Sequence, residues 1–360
     1  MNIYSLFPLI NRLSLIIFGT VQKKVSLKDV ANHVGVSTAL VSYVLNNKEK
    51  KARIGEEMAH RIRKAAEELN YKPNLIAKSL KSGKSNTIGL IVADISNPFF
   101  SNVARIIEDE AKKYGYVVIF GSSDESAEKS ADLIDVFLNR QVDAFIIAPA
   151  VHTEAQIKRL KERHVPFVLI DRYFPDIPTD SVQINNFQAA FLAVEHLVSM
   201  GRKKIAIVSY DSDLAHLKDR ENGYVEGLKK NRIKPKDDWF VKASYQNIGA
   251  DVANELSKLL LPAPKIDAIF FATNSLAVEG LKLINKIGIK VPDQVGIISF
   301  DETDAFDFFY SPITYVSQAI SELGKWAVKL AINRIEDGAQ EYSNIVVASR
   351  LVIRKSAGEK

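Results

Sequence analysis

The sequence predicts two structural classes in one chain: a small all-α head, followed by a larger α/β domain of doubly wound parallel sheets. Between Val25 and Leu69, apolar residues recur at helical spacing. From Thr87 onward, apolar runs of strand length alternate with helical segments, a pattern typical of a parallel sheet with helices on both faces. With 360 residues, the chain is also too long for one small core.

The head begins with two predicted helices joined by a tight turn, within Val25–Asn46. Ser26 is placed to cap the first helix, with Asp29 three residues later as an approximate capping box. Gly35 suits the left-handed end of that helix, and Ser37 suits the cap of the second. The pattern indicates a helix-turn-helix, whose second helix enters the DNA major groove. An ordinary helical hairpin is the alternative.

The second helix has two distinct faces. Its inner face is apolar: Leu40, Val41, Val44 and Leu45. Its outer face is small, polar or aromatic and has no acid: Thr38, Ala39, Ser42, Tyr43 and Asn46. A third amphipathic helix through Ile62 and Leu69 can close a three-helix core. We therefore predict a DNA-binding head over residues 25–72.

Charge and composition favour the same interpretation. Residues 23–84 carry a net charge of +8 and residues 85–360 a net charge of −4. A basic head suits phosphate binding, although a solvated basic surface is the alternative. The absence of cysteine excludes disulfides and thiolate catalysis, and the six histidines have no metal-binding spacing. With no nucleophile motif either, we predict no enzyme activity, no metal and no cofactor.

Two segments flank the head. Residues 1–24 are predicted to be an extension that is disordered or a mis-assigned start, with a targeting segment as the alternative. The apolar stretch Ile3–Phe18 is interrupted by Pro8, Asn11 and Arg12 and is too short to span a bilayer, which needs roughly 20 apolar residues. Residues 73–84 are predicted to form a hinge helix that Asn74 caps and Gly83 follows. So short a helix is marginal alone, since isolated helices below about 12–15 residues rarely hold.

The α/β domain divides into two similar halves. The predicted strands are Thr87–Val92, Tyr116–Phe120, Ala144–Ala148, Phe167–Ile170, Lys204–Ser209, Ala268–Phe271 and Gly296–Phe300. The predicted helices are 98–114, 126–139, 153–163, 186–200, 219–230, 249–260 and 275–287.

A ligand site is expected where ligands bind in open α/β sheets, beyond the carboxyl ends of the strands. The polar and aromatic residues at those ends are Asp94, Asn97, Phe99, Phe100, Asp171, Arg172, Asn274 and Asp301, and Arg220 is predicted to open a helix. Carboxylate, guanidinium and amide groups can bind a polyol's hydroxyls, and an aromatic ring can pack on a sugar or base. The alternatives are that Asp171 and Asp301 are helix caps or loop residues and that Phe100 is plain core.

Several blocks of the chain resemble the lactose-repressor/galactose-repressor family of bacterial transcription regulators. They are VSLKDVANHVGVS, VSYVLN, AAEELNYKPN, IAKSLKSGKSNTIGLIV and DISNPFF, in the family's order, and the resemblance covers about residues 25–355. Tyr43 departs from the family's usual Arg, which leaves the base preference open. Asn274-Ser275 replaces a frequent Asn-Asp.

The resemblance implies a periplasmic-binding-protein-like (type I) effector-binding domain over residues 85–355. Its first lobe would comprise about 85–184 and 313–342, and its second about 185–312 and 343–355, with three crossings between them. The implied DNA-binding residues are Leu27, Ser37, Thr38, Ala39, Ser42, Tyr43, Asn46, Asn74, Ala77, Lys78 and Leu80. The implied effector-binding residues are Phe99, Phe100, Asp171, Arg220, Asn274 and Asp301.

The function implied is a cytoplasmic, nucleoid-associated repressor. Its predicted partners are a near-palindromic DNA operator, a second copy of the chain in a homodimer, and a small effector, a sugar or sugar derivative, with no membrane. A secreted sugar-binding receptor of the same two-lobed fold is the rival, but it leaves the basic head unexplained. An α/β enzyme lacks a catalytic constellation.

Overall fold

The computed structural model describes residues 25–72, 83–338 and 341–358. The predicted extension 1–24 and the hinge residues Asn74, Ala77, Lys78 and Leu80 lie outside these ranges. The chain forms two compact units that divide between Gly83 and Lys84. Among the described residues, no helix combines the length and apolar content needed to cross a membrane.

The head contains three helices: α1 (Leu27–Val34), α2 (Thr38–Leu45) and α3 (Glu56–Glu68). Ser26 and Asp29 form the predicted capping box, in which the Ser26 backbone N–H donates to the Asp29 carboxylate at 2.8 Å. Gly35 ends α1 in the left-handed region with a φ of 76°, as predicted. The three helices enclose one apolar core: Val30, Ala31, Val41, Val44, Ala59, Ile62, Ala65 and Ala66.

The second unit contains two six-stranded sheets, each the centre of one lobe. Its strands are β1 (Thr87–Val92), β2 (Val117–Ser122), β3 (Ala144–Ile147), β4 (Phe167–Ile170), β5 (Ser181–Ile184), β6 (Ile205–Tyr210), β7 (Phe240–Ala243), β8 (Ala268–Phe271), β9 (Gly296–Phe300), β10 (Thr314–Gln318), β11 (Asn344–Val347) and β12 (Ser349–Val352). The first sheet has the order β11-β5-β4-β3-β1-β2 and is parallel throughout. The second has the order β12-β10-β9-β8-β6-β7 and is parallel except for β12 at its edge.

Helices cover both sheets and confirm the predicted doubly wound fold class. They are α4 (Pro98–Lys113), α5 (Ala127–Asn139), α6 (Glu154–Glu162), α7 (Asn186–Ser199), α8 (Ala215–Lys230), α9 (Ile248–Leu260), α10 (Asn274–Ile287), α11 (Ala305–Phe308) and α12 (Ile320–Asp337). Close packing fixes α8 on α7, because a Cβ on Gly223 would lie 2.2 Å from the Phe187 carbonyl oxygen. This close packing fixes the position of α8, and with it the positions of its buried side chains, which include Arg220.

The lobe boundaries differ from the prediction near the end of the chain. The chain passes between the lobes after Ile184, after Gln318 and after Val347. The prediction was wrong for β10, which pairs with β9 in the second sheet rather than returning to the first lobe. It was also wrong in placing all of residues 343–355 in the second lobe, because β11 joins the first sheet and only β12 joins the second. A single intervening residue, Ala348, separates strands that belong to different sheets.

Candidate DNA-binding surface and effector cleft

The outer face of α2 presents the residues predicted to contact bases. Thr38, Ala39, Tyr43 and Asn46 are exposed, with Tyr43 at 46% of its full accessible surface, and Ser42 is half-buried. Neither the first nor the last turn of α2 contains an acidic or a basic residue. An uncharged face with one large aromatic ring can approach base edges without repelling the phosphates.

Three of the predicted DNA contacts, Ser37, Asn46 and Leu27, also stabilise the structure of the head. The Ser37 hydroxyl accepts from the Leu40 backbone N–H at 3.2 Å and so caps α2. Asn46 folds back on the same helix, because its Nδ2 donates to the Ser42 carbonyl oxygen at 2.8 Å. Leu27 is half-buried against the apolar core of the head. These residues therefore offer DNA only part of their polar or apolar surface.

Two aspartates occupy matching positions at the ends of strands in the two lobes. Asp171 follows β4 and Asp301 follows β9, and each strand is third from the same edge of its sheet. Both have left-handed backbones, with φ of 64° and 65°, an unfavourable conformation for a residue with a side chain. Neither caps a helix, so the capping alternative does not hold.

Arg220 is buried between these aspartates, with 2% of its surface exposed. The prediction that it opens a helix was wrong, because α8 begins at Ala215 and Arg220 lies in its second turn. Its Nε donates to Asn186 Oδ1 at 2.8 Å, and its Nη1 donates to the Ala272 carbonyl oxygen at 2.7 Å. Its guanidinium carbon lies 3.5 Å from the centre of the Phe300 ring and its Nη1 lies 3.9 Å from Asp301.

Arg172 is the second buried guanidinium of the cleft. Its two terminal nitrogens donate to the Glu125 carboxylate at 2.8 and 2.7 Å, and its Nε lies 3.4 Å from Asp171. Its guanidinium carbon lies 5.6 Å from the centre of the Phe100 ring. Phe100 is itself buried and packs edge-on against Phe99, with the two ring centres 5.0 Å apart. Phe100 therefore lies in the core of the first lobe, next to Arg172.

Asp171, Arg172, Arg220 and Asp301 form a charged cluster that joins the two lobes electrostatically. Burial raises the pKa of Asp171 although Arg172 and Arg220 oppose the shift. Burial also raises the pKa of Asp301 to about 6, against the opposing effect of Arg220 and of a hydrogen bond from Gln318. For Arg172, burial lowers the pKa, but Glu125, Tyr245 and Asp171 together raise it above its usual value. The cluster thus contains carboxyl groups whose hydrogen-bond partners, and hence whose pKa values, a polar ligand could change.

Asn274 links the lobes directly at the cleft. Its Nδ2 donates across the cleft to Asn97 Oδ1 at 3.1 Å, and the Asn97 Nδ2 donates to Ser275 Oγ at 3.5 Å. The same Asn97 oxygen accepts from the Phe99 backbone N–H at 3.0 Å and caps α4. The Asn97 side chain therefore both caps α4 in the first lobe and hydrogen-bonds to the second lobe.

His216 lies one turn before Arg220 on α8, and no sequence motif predicts a role for it. It is 3% exposed, and its Nδ1 has no hydrogen-bond partner within the described part of the chain. Burial, together with the charges of Arg172 and Arg220, lowers the pKa of His216 well below its usual value. The ring is therefore neutral near pH 7.

A cavity of about 480 Å³ opens between the lobes beside the charged cluster. We name it the outer chamber and define it by Asp94, Asp124, Glu125, Tyr210, Tyr245 and Glu279, which line it with Asn274 and others. Of the six predicted effector residues, only Asn274 lines this chamber. Phe99 and Asp301 line a much smaller space of about 10 Å³ together with Gln318.

The comparisons with known proteins agree on one family. Residues 26–74 match the bacterial regulatory proteins of the lacI family, and residues 85–355 match the periplasmic binding proteins and sugar binding domain of the LacI family. The ribose operon repressor of Halalkalibacterium halodurans is 32% identical over 92% of this chain and 96% of its own. The transcriptional repressor PurR of Histophilus somni is 29% identical over 92% of this chain and 98% of its own.

Solved structures agree in fold. The Lac repressor dimer bound to operator and the anti-inducer ONPF has a TM-score of 0.82 at 22% identity, covering 94% of this chain and all of its own. The regulator CcpA of Lactococcus lactis has a TM-score of 0.68 at 26% identity, covering 75% of this chain and 98% of its own. The match of the head to DNA-binding regulators disfavours the secreted-receptor and enzyme alternatives. The chain belongs to the LacI family of bacterial regulatory proteins.

Proposed function

We propose that this LacI-family repressor senses a sugar or sugar derivative between the lobes of its sensor, and that the ligand controls the affinity of the head for operator DNA. As a member of this family, the protein is a DNA-binding transcriptional regulator that responds to a small molecule. The observation that carries the choice of ligand is the charged cluster, in which groups from both lobes converge on one buried site.

The chemistry of the cluster favours a polyhydroxylated ligand. Each hydroxyl of a polyol can donate to a carboxylate and accept from a guanidinium or an amide. Asp171, Asp301, Arg220 and Asn274 supply these groups from three different strand ends and one helix. A hydrogen bond to a charged group contributes about 1.5–3 kcal/mol, so a few such contacts suffice for specific binding.

Ligand binding would change how the lobes are held together. The buried groups are already paired with one another, and the lobes are bridged by the Asn97–Asn274 hydrogen bond. A ligand that inserts its hydroxyls must exchange some of these partners, which shifts the population of lobe arrangements. We propose that this shift is transmitted to the hinge, residues 73–84, and from there to DNA.

For the DNA partner, we propose a near-palindromic operator bound by a homodimer in the cytoplasm. The exposed residues Thr38, Ala39 and Tyr43 of α2 would contact bases, while Leu27, Ser37, Ser42 and Asn46 would support the approach to DNA. In the hinge, Asn74, Ala77 and Lys78 would lie along the minor groove. Leu80 would insert there as an apolar wedge and bend the duplex.

Two experiments test this function. Selection of genomic duplexes by the purified full-length chain should recover one operator class, with binding that falls steeply as salt rises because phosphate contacts release counterions. A thermal-shift screen of sugars, nucleosides and bases should identify a stabilising ligand, since a ligand at ~100 times its dissociation constant adds about 2.7 kcal/mol. Recovery of no duplex, or a best ligand without hydroxyl groups, contradicts the proposal.

A further inference from the structure

Helix α2 carries no side chain suited to pair with a particular base through two hydrogen bonds. Its residues, Thr38–Leu45, read TALVSYVL. In the major groove, Arg or Lys makes two hydrogen bonds to guanine, Asn or Gln makes two to adenine, and a carboxylate accepts from cytosine. None of these residue types occurs in α2, whereas the hydroxyls of Thr38 and Ser42 can bond to more than one base. Hydrogen bonding alone therefore gives this helix little preference between bases.

Asn46, directly after α2, is the nearest amide and is turned away from that task. Its Nδ2 donates to the Ser42 carbonyl oxygen at 2.8 Å, and its backbone N–H donates to the same oxygen at 3.2 Å. A two-bond pair with adenine needs the amide nitrogen and the amide oxygen to face the base together. The bond to Ser42 directs the amide back along the helix, so this pair would require breaking it.

Two exposed side chains of α2 form an apolar stripe. Ala39 and Tyr43 are four residues apart, a spacing that places side chains next to each other on one helix face, about 5–6 Å apart. Both are exposed, and Tyr43 keeps 46% of its accessible surface. Val41 and Val44 on the other side of the helix are fully buried in the core of the head, so α2 cannot rotate to bury the ring. We call this feature the Ala39–Tyr43 stripe.

Thymine is the base whose major-groove edge offers a methyl group to such a stripe. Its 5-methyl group makes apolar contacts with side chains such as Ala and Phe, whereas the edges of the other bases are read through hydrogen bonds. Burying one methyl group contributes about 0.8 kcal/mol, or about fourfold in affinity. Base pairs are stacked about 3.4 Å apart, so side chains 5–6 Å apart face pairs one or two steps from each other.

Cations that can attract phosphate lie outside the Ala39–Tyr43 stripe. Lys28 in α1 and Lys48, Lys51 and Arg53 after α2 are exposed, and none of the four forms an ion pair within the described part of the chain. Phosphate contacts add affinity without reading the sequence. Discrimination between bases therefore rests on the uncharged face of α2, to which the stripe contributes apolar contacts and the Thr38 hydroxyl a hydrogen bond.

We propose that the head selects its operator through thymine methyl groups: the Ala39–Tyr43 stripe contacts the 5-methyl groups of T·A pairs in the major groove, one or two base steps apart in each half-site. The proposal rests on the proposed binding of a near-palindromic operator by α2 and specifies the chemistry that recognises this operator. The ring of Tyr43, rather than its hydroxyl, contacts one thymine, and the Ala39 methyl contacts the other.

The test uses the full-length wild-type chain and the operator recovered by selection. Each thymine of a half-site, with its symmetry mate, is replaced by deoxyuridine, which removes the 5-methyl group and keeps every hydrogen-bonding atom of the base. Fluorescence anisotropy measures the affinity. At one or more positions the replacement should weaken binding at least fivefold, since two losses of about fourfold multiply. A loss below fivefold at every position overturns the proposal.

Variants assign the methyl contacts to the stripe. The quantity compared is the methyl preference, the ratio of the affinities for the thymine and deoxyuridine operators. Tyr43→Ala should reduce it at least threefold at one position, and Tyr43→Phe, which keeps the ring, should retain it. Ala39→Ser should reduce it at the other position, which tests the stripe even if Tyr43→Ala does not fold. A methyl preference that both Tyr43→Ala and Ala39→Ser retain, or that Tyr43→Phe loses, contradicts the assignment.

Lys48→Ala is the matched control, because Lys48 is exposed and lies three residues beyond the end of α2. It should weaken the thymine and deoxyuridine operators alike and leave the methyl preference unchanged, since a phosphate contact does not sense the base. A methyl preference that falls in Lys48→Ala as much as in Tyr43→Ala would show that the preference does not come from the stripe.

The converse experiment adds the methyl group to another base. At the position sensitive to Tyr43, a C·G pair should bind wild type more weakly than T·A, and 5-methylcytosine should recover at least threefold in affinity for wild type but not for Tyr43→Ala. Equal binding of the two cytosine operators contradicts the proposal. If the protein selects an operator but binds its deoxyuridine form equally well, the proposed function stands and this inference fails. If no duplex is recovered, both fail.

Discussion

Replacing Arg220 by Ala tests whether the charged cluster is electrostatically coupled as the structure indicates. The substitution removes the hydrogen bonds to Asn186 and Ala272, which measure 2.8 and 2.7 Å, and the ion pair with Asp301 at 3.9 Å. Because Arg220 is only 2% exposed, water cannot replace these partners without entering the core. Breaking a buried ion pair on one side costs about 3–5 kcal/mol. We expect a loss of that order in the free energy of unfolding at pH 8.

The loss should depend on pH in a defined direction. Burial raises the pKa of Asp301 to about 6, and Arg220 opposes this shift, so the pKa rises further in Arg220→Ala. At pH 8 the wild-type carboxylate is charged and relies on Arg220, whereas at pH 5 it is protonated and relies on it less. The destabilisation by Arg220→Ala should therefore be larger at pH 8 than at pH 5.

Urea unfolding followed by tryptophan fluorescence measures this effect in the sensor, because Trp239 and Trp326 are the two tryptophans of the chain. Arg202→Ala is the matched control. Arg202 is half-buried, and its guanidinium donates to the carbonyl oxygens of Pro292 and Ala357 at 2.6 and 3.4 Å. Its replacement should destabilise the sensor equally at both pH values. A loss below about 1 kcal/mol for Arg220→Ala, or a loss independent of pH, would show that Arg220 and Asp301 are not electrostatically coupled.

Three further predictions follow from the same structure. Asp301→Asn should gain stability relative to the wild type as pH rises from 5 to 8, by about 1.4 kcal/mol, because burial raises the pKa of the carboxyl from 3.8 to about 6 and its stabilising contribution, fully present below pH 3.8, is lost as pH rises to 6. Urea unfolding of both proteins at both pH values measures the difference, and a parallel pH dependence in the two proteins argues against it. Gly223→Ala should destabilise the sensor by about 1–3 kcal/mol, since its Cβ would lie 2.2 Å from the Phe187 carbonyl oxygen, and thermal unfolding within 1 °C of the wild type would show that α8 can move away freely. Thr38→Val should change which base pairs the operator selection recovers, whereas Lys78→Ala should weaken all recovered sites about equally and reduce the salt dependence; the reverse pattern contradicts the assigned contacts.

The head was predictable because its signals are local. The capping box of Ser26 and Asp29, the left-handed Gly35 and the cap Ser37 are set by neighbouring residues, and the structure confirms each of them. The buried strands Phe167–Ile170, Ala268–Phe271 and Gly296–Phe300 were also predicted to the residue. Each is an uninterrupted apolar run, because both faces of a central parallel strand are covered by helices.

The short edge elements were not predictable in the same way. Nothing in the run Asn344–Val352 reveals that β11 and β12 belong to different sheets, since pairing between distant segments decides this. Strand β7, Phe240–Ala243, alternates half-buried and buried positions at the sheet edge and has no continuous apolar run. Because β7 was missed, Tyr245 just beyond it was missed as a cleft residue.

Other cleft residues could have been found by the rule already applied. Tyr210 is the last residue of β6, and Glu125 follows β2, both at carboxyl ends of strands. His216 gave no such signal, because its position depends on α8 starting at Ala215, four residues earlier than predicted. Pairing of Arg172 with Glu125, 47 residues apart, is likewise a property of the assembled sheet.

The most direct test of the central claim is the operator affinity of the full-length wild type and of Arg220→Ala, each with and without the saccharide that stabilises the sensor, measured by fluorescence anisotropy on the selected duplex. The saccharide should change wild-type operator affinity at least tenfold, and Arg220→Ala should bind the operator but no longer respond to the saccharide. A wild-type affinity that the saccharide leaves unchanged, or a normal response by Arg220→Ala, would contradict it.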